Sequence, residues 1–137
     1  RIHAAGDFIP GAYAEMWRGI AADFSGVKFW TYTKVETCEK LFDGLSNANI
    51  VKSLVPNCGL NYGTADYLLR AYKAAKSTGA SVHVCKCGID PNQHCTNCAG
   101  CSKNDYVLFL EHGTSYKPEL DPAFPAFREL VENQPDA

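Results

Sequence analysis

Two hydrophobic periods alternate along this chain, and the alternation limits its architecture more than any other feature. The runs RIHAAGDF (1–8), VKFWTYT (27–33), IVKSLV (50–55), SVHVC (81–85) and YVLFLEH (106–112) are short and mostly β-branched or aromatic. Such runs are strand signatures when Gly, Pro, Asn or Asp bound them. Between them, apolar residues recur every three or four positions, the mark of an amphipathic helix. Gly11 to Phe24 carries Tyr13, Met16, Trp17, Ile20, Ala21 and Phe24 in that spacing, and Thr37 to Leu45 carries Leu41, Phe42 and Leu45. Thr64 to Ser77 carries Leu68, Leu69, Tyr72 and Ala75, with Thr64 a good N-cap and Asp66 in the favourable first turn. Asp121-Pro122 opens a last helix through Glu132.

Strands separated by helices predict an α/β fold with a mainly parallel five-stranded sheet and right-handed crossovers. Five strands cannot close an eight-stranded barrel, so the sheet is expected to be open or a partial barrel. The 137 residues, 46% hydrophobic and 20% charged, fit one globular domain over residues 1–137. The chain opens with Arg1, already inside a strand-like run, which is read as a natural beginning truncated at the N-terminus. That opening lacks the pattern of a secretory signal, and no apolar stretch approaches the ~20 residues of a membrane helix. A net charge of −2 without any Lys/Arg run does not favour nucleic acid as a partner.

Between the fourth and fifth strand runs, CKCGIDPNQHCTNCAGC (residues 85–101) holds five of the chain's seven cysteines. Cys95, Cys98 and Cys101 form an unbroken C-x-x-C-x-x-C, preceded by Cys87 and Cys85. Seven is an odd number, and clustering beside clear helices is unlike a secreted disulfide scaffold, so a cytoplasmic, reduced protein is expected. A metal-binding loop is the reading that best explains thiols this dense. Tetrahedral zinc takes four sulfur or imidazole ligands, here Cys95, Cys98, Cys101 and Cys87, with Cys85 or His94 as substitutes for the fourth. The same run also resembles part of a ferredoxin ligand set, which leaves an iron–sulfur cluster as the alternative cofactor. The loop's polar residues, Asp90, Asn92, Gln93, His94 and Asn97, imply exposure and favour zinc. Cys38, on a helix, and Cys58, in a loop, read as a small hydrophobe and an incidental thiol.

In parallel α/β folds, sites gather at the carboxyl ends of strands. Those ends carry Asp7, Lys34, Cys85-Lys86-Cys87 and His112, which makes Asp7, Lys34 and His112 the candidate catalytic residues. Asp7 serves equally as a cap for the next turn, and Lys34 as an anchor for phosphate or carboxylate. His3 shares Asp7's face and reads as a satisfied core residue, and Trp17 and Trp30 are expected in the core. No P-loop, dinucleotide GxGxxG, HExxH or nucleophile elbow is present.

RIHAAGDF, FWTYTK, the CKCG…HCTNCAGC loop and VLFLEH, taken in this order, resemble the phage and plasmid proteins named after mycobacteriophage gene product 88. The resemblance runs from residue 1 to about residue 113. The matching positions are His3, Gly6, Asp7, Trp17, Tyr32, Thr33, Lys34, Cys85 or Cys87, Cys95, Cys98, Cys101 and His112. The family shows Cys-Pro at the first cysteine, whereas this chain has Cys85-Lys86 and Cys87-Gly88. It also carries an upstream cysteine cluster reminiscent of radical-SAM proteins, which this chain lacks. The resemblance implies a metal-binding domain of mobile-element origin. Its alternatives are the downstream part of a radical-SAM-like iron–sulfur enzyme, or an interaction module for nucleic acid or protein.

Overall fold

The computed structural model describes residues 1–3, 6–55, 61–87, 89–112 and 115–135. Helix α1 (Ala12–Asp23) leads into strand β1 (Phe29–Thr33), followed by β2 (Ala48–Lys52) and the two-residue β3 (Tyr62–Gly63). Helix α2 (Ala65–Ser77), β4 (Val82–Val84), the single-turn α3 (Gly100–Lys103), β5 (Tyr106–Leu110) and α4 (Phe124–Asn133) complete the order. Mixed helices and strands were expected, and every strand pairing is parallel.

The expected five-stranded sheet is not there. The strands form two sheets, β1-β2 and β3-β5-β4. Where they meet, side chains do the work of a ladder. Lys52 N–H still donates to the Asp105 carbonyl (2.7 Å). Then Asn61 intervenes: its Oδ1 accepts from Leu54 N–H (2.8 Å), and its Nδ2 donates to the carbonyls of Lys52 (2.8 Å) and Val107 (3.2 Å). Upstream, Asn49 Nδ2 donates to the carbonyls of Cys101 (2.8 Å) and Asn104 (2.9 Å). Two asparagines thus satisfy backbone groups that a continuous sheet would have paired.

Each sheet has its own core. Leu68, Ala75, Val84, Leu108, Phe127 and Val131 are buried between α2, α4 and the three-stranded sheet. Phe8, Ala14, Ala21, Cys38, Phe42 and Ile50 are buried under α1, with Trp17 packed against them. Fully buried side chains such as Leu68 and Phe127 each contribute about 1.5–3 kcal/mol. Thr64 caps α2 as expected, its Oγ1 accepting from Tyr67 N–H (3.3 Å).

Two other expectations change. Residues 1–3 are not a strand, although Ile2 N–H donates to the Trp30 carbonyl beside β1 (2.9 Å). The helix expected over Thr37 to Leu45 is a chain of turns beginning with the 3₁₀ turn Glu36–Cys38. Its bonds run three residues apart, Leu41 to Cys38 and Leu45 to Phe42, and Gly44 at φ 85° bends the chain back. The inward side chains were read correctly, but the backbone was not.

Candidate functional site

Cys85 follows β4 directly, its N–H donating to the Leu108 carbonyl (2.8 Å). Beside it, buried Gln134 completes the outer edge of β4: Val84 N–H donates to its Oε1 (2.9 Å), and its Nε2 donates to the Val84 carbonyl (2.6 Å). The chain then turns at Asp90, whose carboxylate accepts from Asn92 N–H (2.9 Å). At the 3₁₀ turn Cys95–Asn97, Asn97 Oδ1 accepts from His94 N–H (2.9 Å). His94 is exposed and serves this turn.

These turns fold the loop back over the sheets. Cys85, Cys87, Cys95, Cys98 and Cys101 line one cavity of about 110 Å³, walled by Trp30, Tyr32, His83 and Val107. The thiols therefore face strand interiors as well as strand ends, and half-buried Trp30 is a cavity wall rather than a core residue. Tyr32 Oη lies 2.8 Å from Cys101 Sγ, with the Arg1 guanidinium 4.9 Å from the Tyr32 ring centre. His83 Nε2 lies 3.6 Å from Cys98 Sγ, and Gly100 N–H donates to the same sulfur (3.4 Å). A Cβ on Gly100 would overlap the imidazole of His83, so glycine is what lets α3 seat against that ring.

Cys38, Cys85, Cys87, Cys95, Cys98 and Cys101 are unbridged. Burial pushes the Cys85 and Cys101 thiols up; hydrogen bonds from Cys87 to Cys85 and from Tyr32 to Cys101 work against it, and the charges of the other sulfurs add to it. Cys87 is pushed up to about 12, first by burial and then by Cys85 and Cys95, with which it shares hydrogen bonds. Burial and the Cys101 contact raise the Tyr32 hydroxyl as well. Thiols this close resist ionising together unless a cation balances them. Among the described residues, no three Cys, His, Asp or Glu side chains stand as a group that could hold a metal ion. The donors share a cavity and come closest in pairs.

Asp7 and Lys34 line a different space, a cleft of about 320 Å³ with Thr33, Lys52, Asn61 and Tyr62. The Asp7 carboxylate accepts from Thr33 O–H, Phe8 N–H and Lys34 N–H, each at 2.7 Å. That is the geometry of a cap. Exposed His112 reaches the neighbourhood through its backbone: its N–H donates to Tyr62 Oη (2.9 Å), whose O–H donates to the His112 carbonyl (2.8 Å). His3 is a packing residue, its Nε2 2.9 Å from Tyr13 Oη and its ring against Phe8, as expected. Cys38 is buried, also as expected. Cys58 lies outside the described residues.

Tyr32 belongs to both spaces. Neither His83 nor the cavity walls Arg1 and Trp30 stood out in the sequence as site residues. The signal was the two-residue period: in SVHVC, His83 and Cys85 must share a face, as Trp30 and Tyr32 do in VKFWTYT.

Residues 1–71 match the family model described as Gene product 88, just over half of the 137-residue chain. The chain belongs to the gene product 88 family. The matched segment holds Asp7, Lys34, Tyr32 and both strands of the first sheet, and ends within α2. Among curated relatives, the Gene 88 protein of Mycobacterium phage D29 is 39% identical over 59 residues. That alignment covers 42% of this chain and 25% of the phage protein, so the chain spans a fraction of this relative's length. No solved structure matches. Among the described residues, no helix is long and apolar enough to cross a membrane.

Proposed function

We propose that this chain is a metal-binding α/β domain of a phage-type protein, holding one ion in the cysteine cavity in a structural role. One observation carries the reading: five unbridged thiols and the buried His83 line a single cavity. An ion there would tie β4, which carries His83 and leads into Cys85, to α3, which carries Cys101. Structural metals act in this way, closing a protein around ligands that the metal-free chain holds only loosely. Zinc suits the site, because Cys87 and Cys95 are exposed and an exposed iron–sulfur cluster would be vulnerable to oxygen. Free thiols in this number also suit a reducing, cytoplasmic compartment. Nucleic acid is not favoured as a partner, since among the described residues Arg1 is the one Lys or Arg lining the cavity.

A radical-SAM-like enzyme with an auxiliary cluster is the second reading. It is supported by the cleft of Asp7 and Lys34, which shares the Tyr32 wall with the sulfurs. Metal analysis of protein purified without oxygen separates the two. One zinc per chain in a colourless preparation supports the structural reading. Iron and sulfide in a brown preparation absorbing near roughly 400 nm overturn it in favour of the enzyme.

A further inference from the structure

We infer that His83 is a ligand of the ion, making the site three thiolates and one imidazole rather than four thiolates. The inference rests on the metal-binding reading above and names its ligand set. At a tetrahedral zinc, a sulfur at about 2.3 Å and a nitrogen at about 2.0–2.1 Å stand about 3.6 Å apart. His83 Nε2 and Cys98 Sγ are 3.6 Å apart. This pair already has the spacing of two ligands on one ion. His83 is 4% exposed, so its ring has little freedom to leave. Gly100 packs against its Cδ2 and Nε2 atoms, where any side chain would overlap the ring. With the ring seated there, it is Nε2 that meets the Cys98 sulfur.

The remaining two ligands follow from burial and neighbourhood. Cys85 and Cys101 are half-buried and line the cavity together with half-buried Cys98. Cys87 and Cys95 are exposed, and Cys87 hydrogen-bonds both Cys85 and Cys95. The inner set is therefore His83, Cys85, Cys98 and Cys101; among the described residues these do not yet stand as a metal-holding group, so binding must draw the four together. Cys87 and Cys95 are left outside the coordination shell, where they cover it.

X-ray absorption at the zinc edge, on the full chain loaded with zinc, tests the ligand count without any substitution. Three sulfurs at about 2.3 Å and one nitrogen at about 2.0–2.1 Å are expected; a shell of four sulfurs overturns the inference. Failure of the wild-type chain to take up zinc would instead remove the metal-binding reading and this inference with it. Competition titration then compares variants. His83→Asn, and Gly100→Ala crowding the ring, should each weaken zinc binding at least about tenfold, while Cys38→Ser, in the core under α1, keeps the wild-type affinity and shell. Unchanged affinity in His83→Asn would overturn the assignment.

Discussion

At the carboxyl end of β1, Asp7 accepts from Thr33, Phe8 and Lys34, whereas across Tyr32 the sulfurs of the cysteine cavity meet other sulfurs, one tyrosine, one histidine and the Gly100 N–H. Both regions look like sites in the sequence, since both place reactive residue types at strand ends. The difference lies in what their lone pairs still need. A carboxylate satisfied by two N–H groups and a hydroxyl has done its work on the fold. Buried thiols that meet mainly one another stay neutral by themselves, and a bound cation is what would let them ionise together.

The largest expected effect sets the two regions directly against each other. Cys98→Ser should release the metal and lower stability by several kcal/mol, because ion binding is coupled to folding. Cys38→Ser, in the core under α1, should keep the metal and cost about 1–3 kcal/mol for burying a hydroxyl. Metal analysis with urea unfolding measures both. Retention of metal by Cys98→Ser would put the cavity in the same class as Asp7, a purely structural arrangement.

Asp7→Ala comes next. It strands the Thr33 hydroxyl and two backbone N–H groups, at a cost of about 2–3 kcal/mol. Metal content should not change. If Asp7→Ala unfolds no more readily than the wild type but abolishes an activity of the longer family protein, the carboxylate is catalytic and the contrast breaks.

How far the sequence could have drawn this contrast depends on which physical signal each part left. The alternation in VKFWTYT and YVLFLEH announced β1 and β5, because half-buried strands need period two. The Thr64 cap announced α2. The cysteine spacing marked a single site, and the sulfurs do share one cavity. What escaped depended on partners distant in the chain. The split between the sheets is made by the side chains of Asn49 and Asn61, and no local pattern says that an asparagine will replace a ladder. Strand β3 is two residues long, too short for any period. RIHAAGDF has strand composition, but of residues 1–3 only Ile2 donates a backbone hydrogen bond to β1. His83 was legible through its register with Cys85, yet a lone strand histidine more often belongs to a core, and only its distance to Cys98 separates the two readings.

A smaller effect is expected at the wall between the regions. Tyr32→Phe removes the hydroxyl that meets Cys101 Sγ at 2.8 Å while keeping the ring against Phe109. Loss of one such supporting contact should weaken metal binding about tenfold and leave the Asp7 cap intact. Equal affinity in a zinc competition assay would show that Tyr32 merely fills space, and would detach the two regions from each other.

The smallest effect asks whether the carboxylate pattern extends to the seam between the sheets. Asp105 accepts from Ser81 N–H (3.0 Å) and Ser81 O–H (2.9 Å), and Lys52 Nζ lies 3.4 Å away. Burial works to raise its pKa, but the Ser81 donors and the Lys52 ammonium outweigh it and hold the carboxyl below its ordinary value. A carboxyl whose folded pKa is depressed contributes its stability above the unfolded value of about 3.9, and that contribution is lost as pH falls through the folded pKa. Asp105→Asn should therefore cost about 1 kcal/mol at pH 7, a modest figure because the pair is partly exposed to solvent. The difference between wild type and variant should begin to shrink as the pH falls below about 3.9, where the unfolded chain takes up the proton, and vanish once the pH is below the depressed folded pKa. Urea unfolding of the metal-free proteins across that range isolates the carboxylate from any metal binding. A difference that persists unchanged at low pH would mean that Asp105 acts through shape alone, and the parallel with Asp7 would rest on geometry rather than charge.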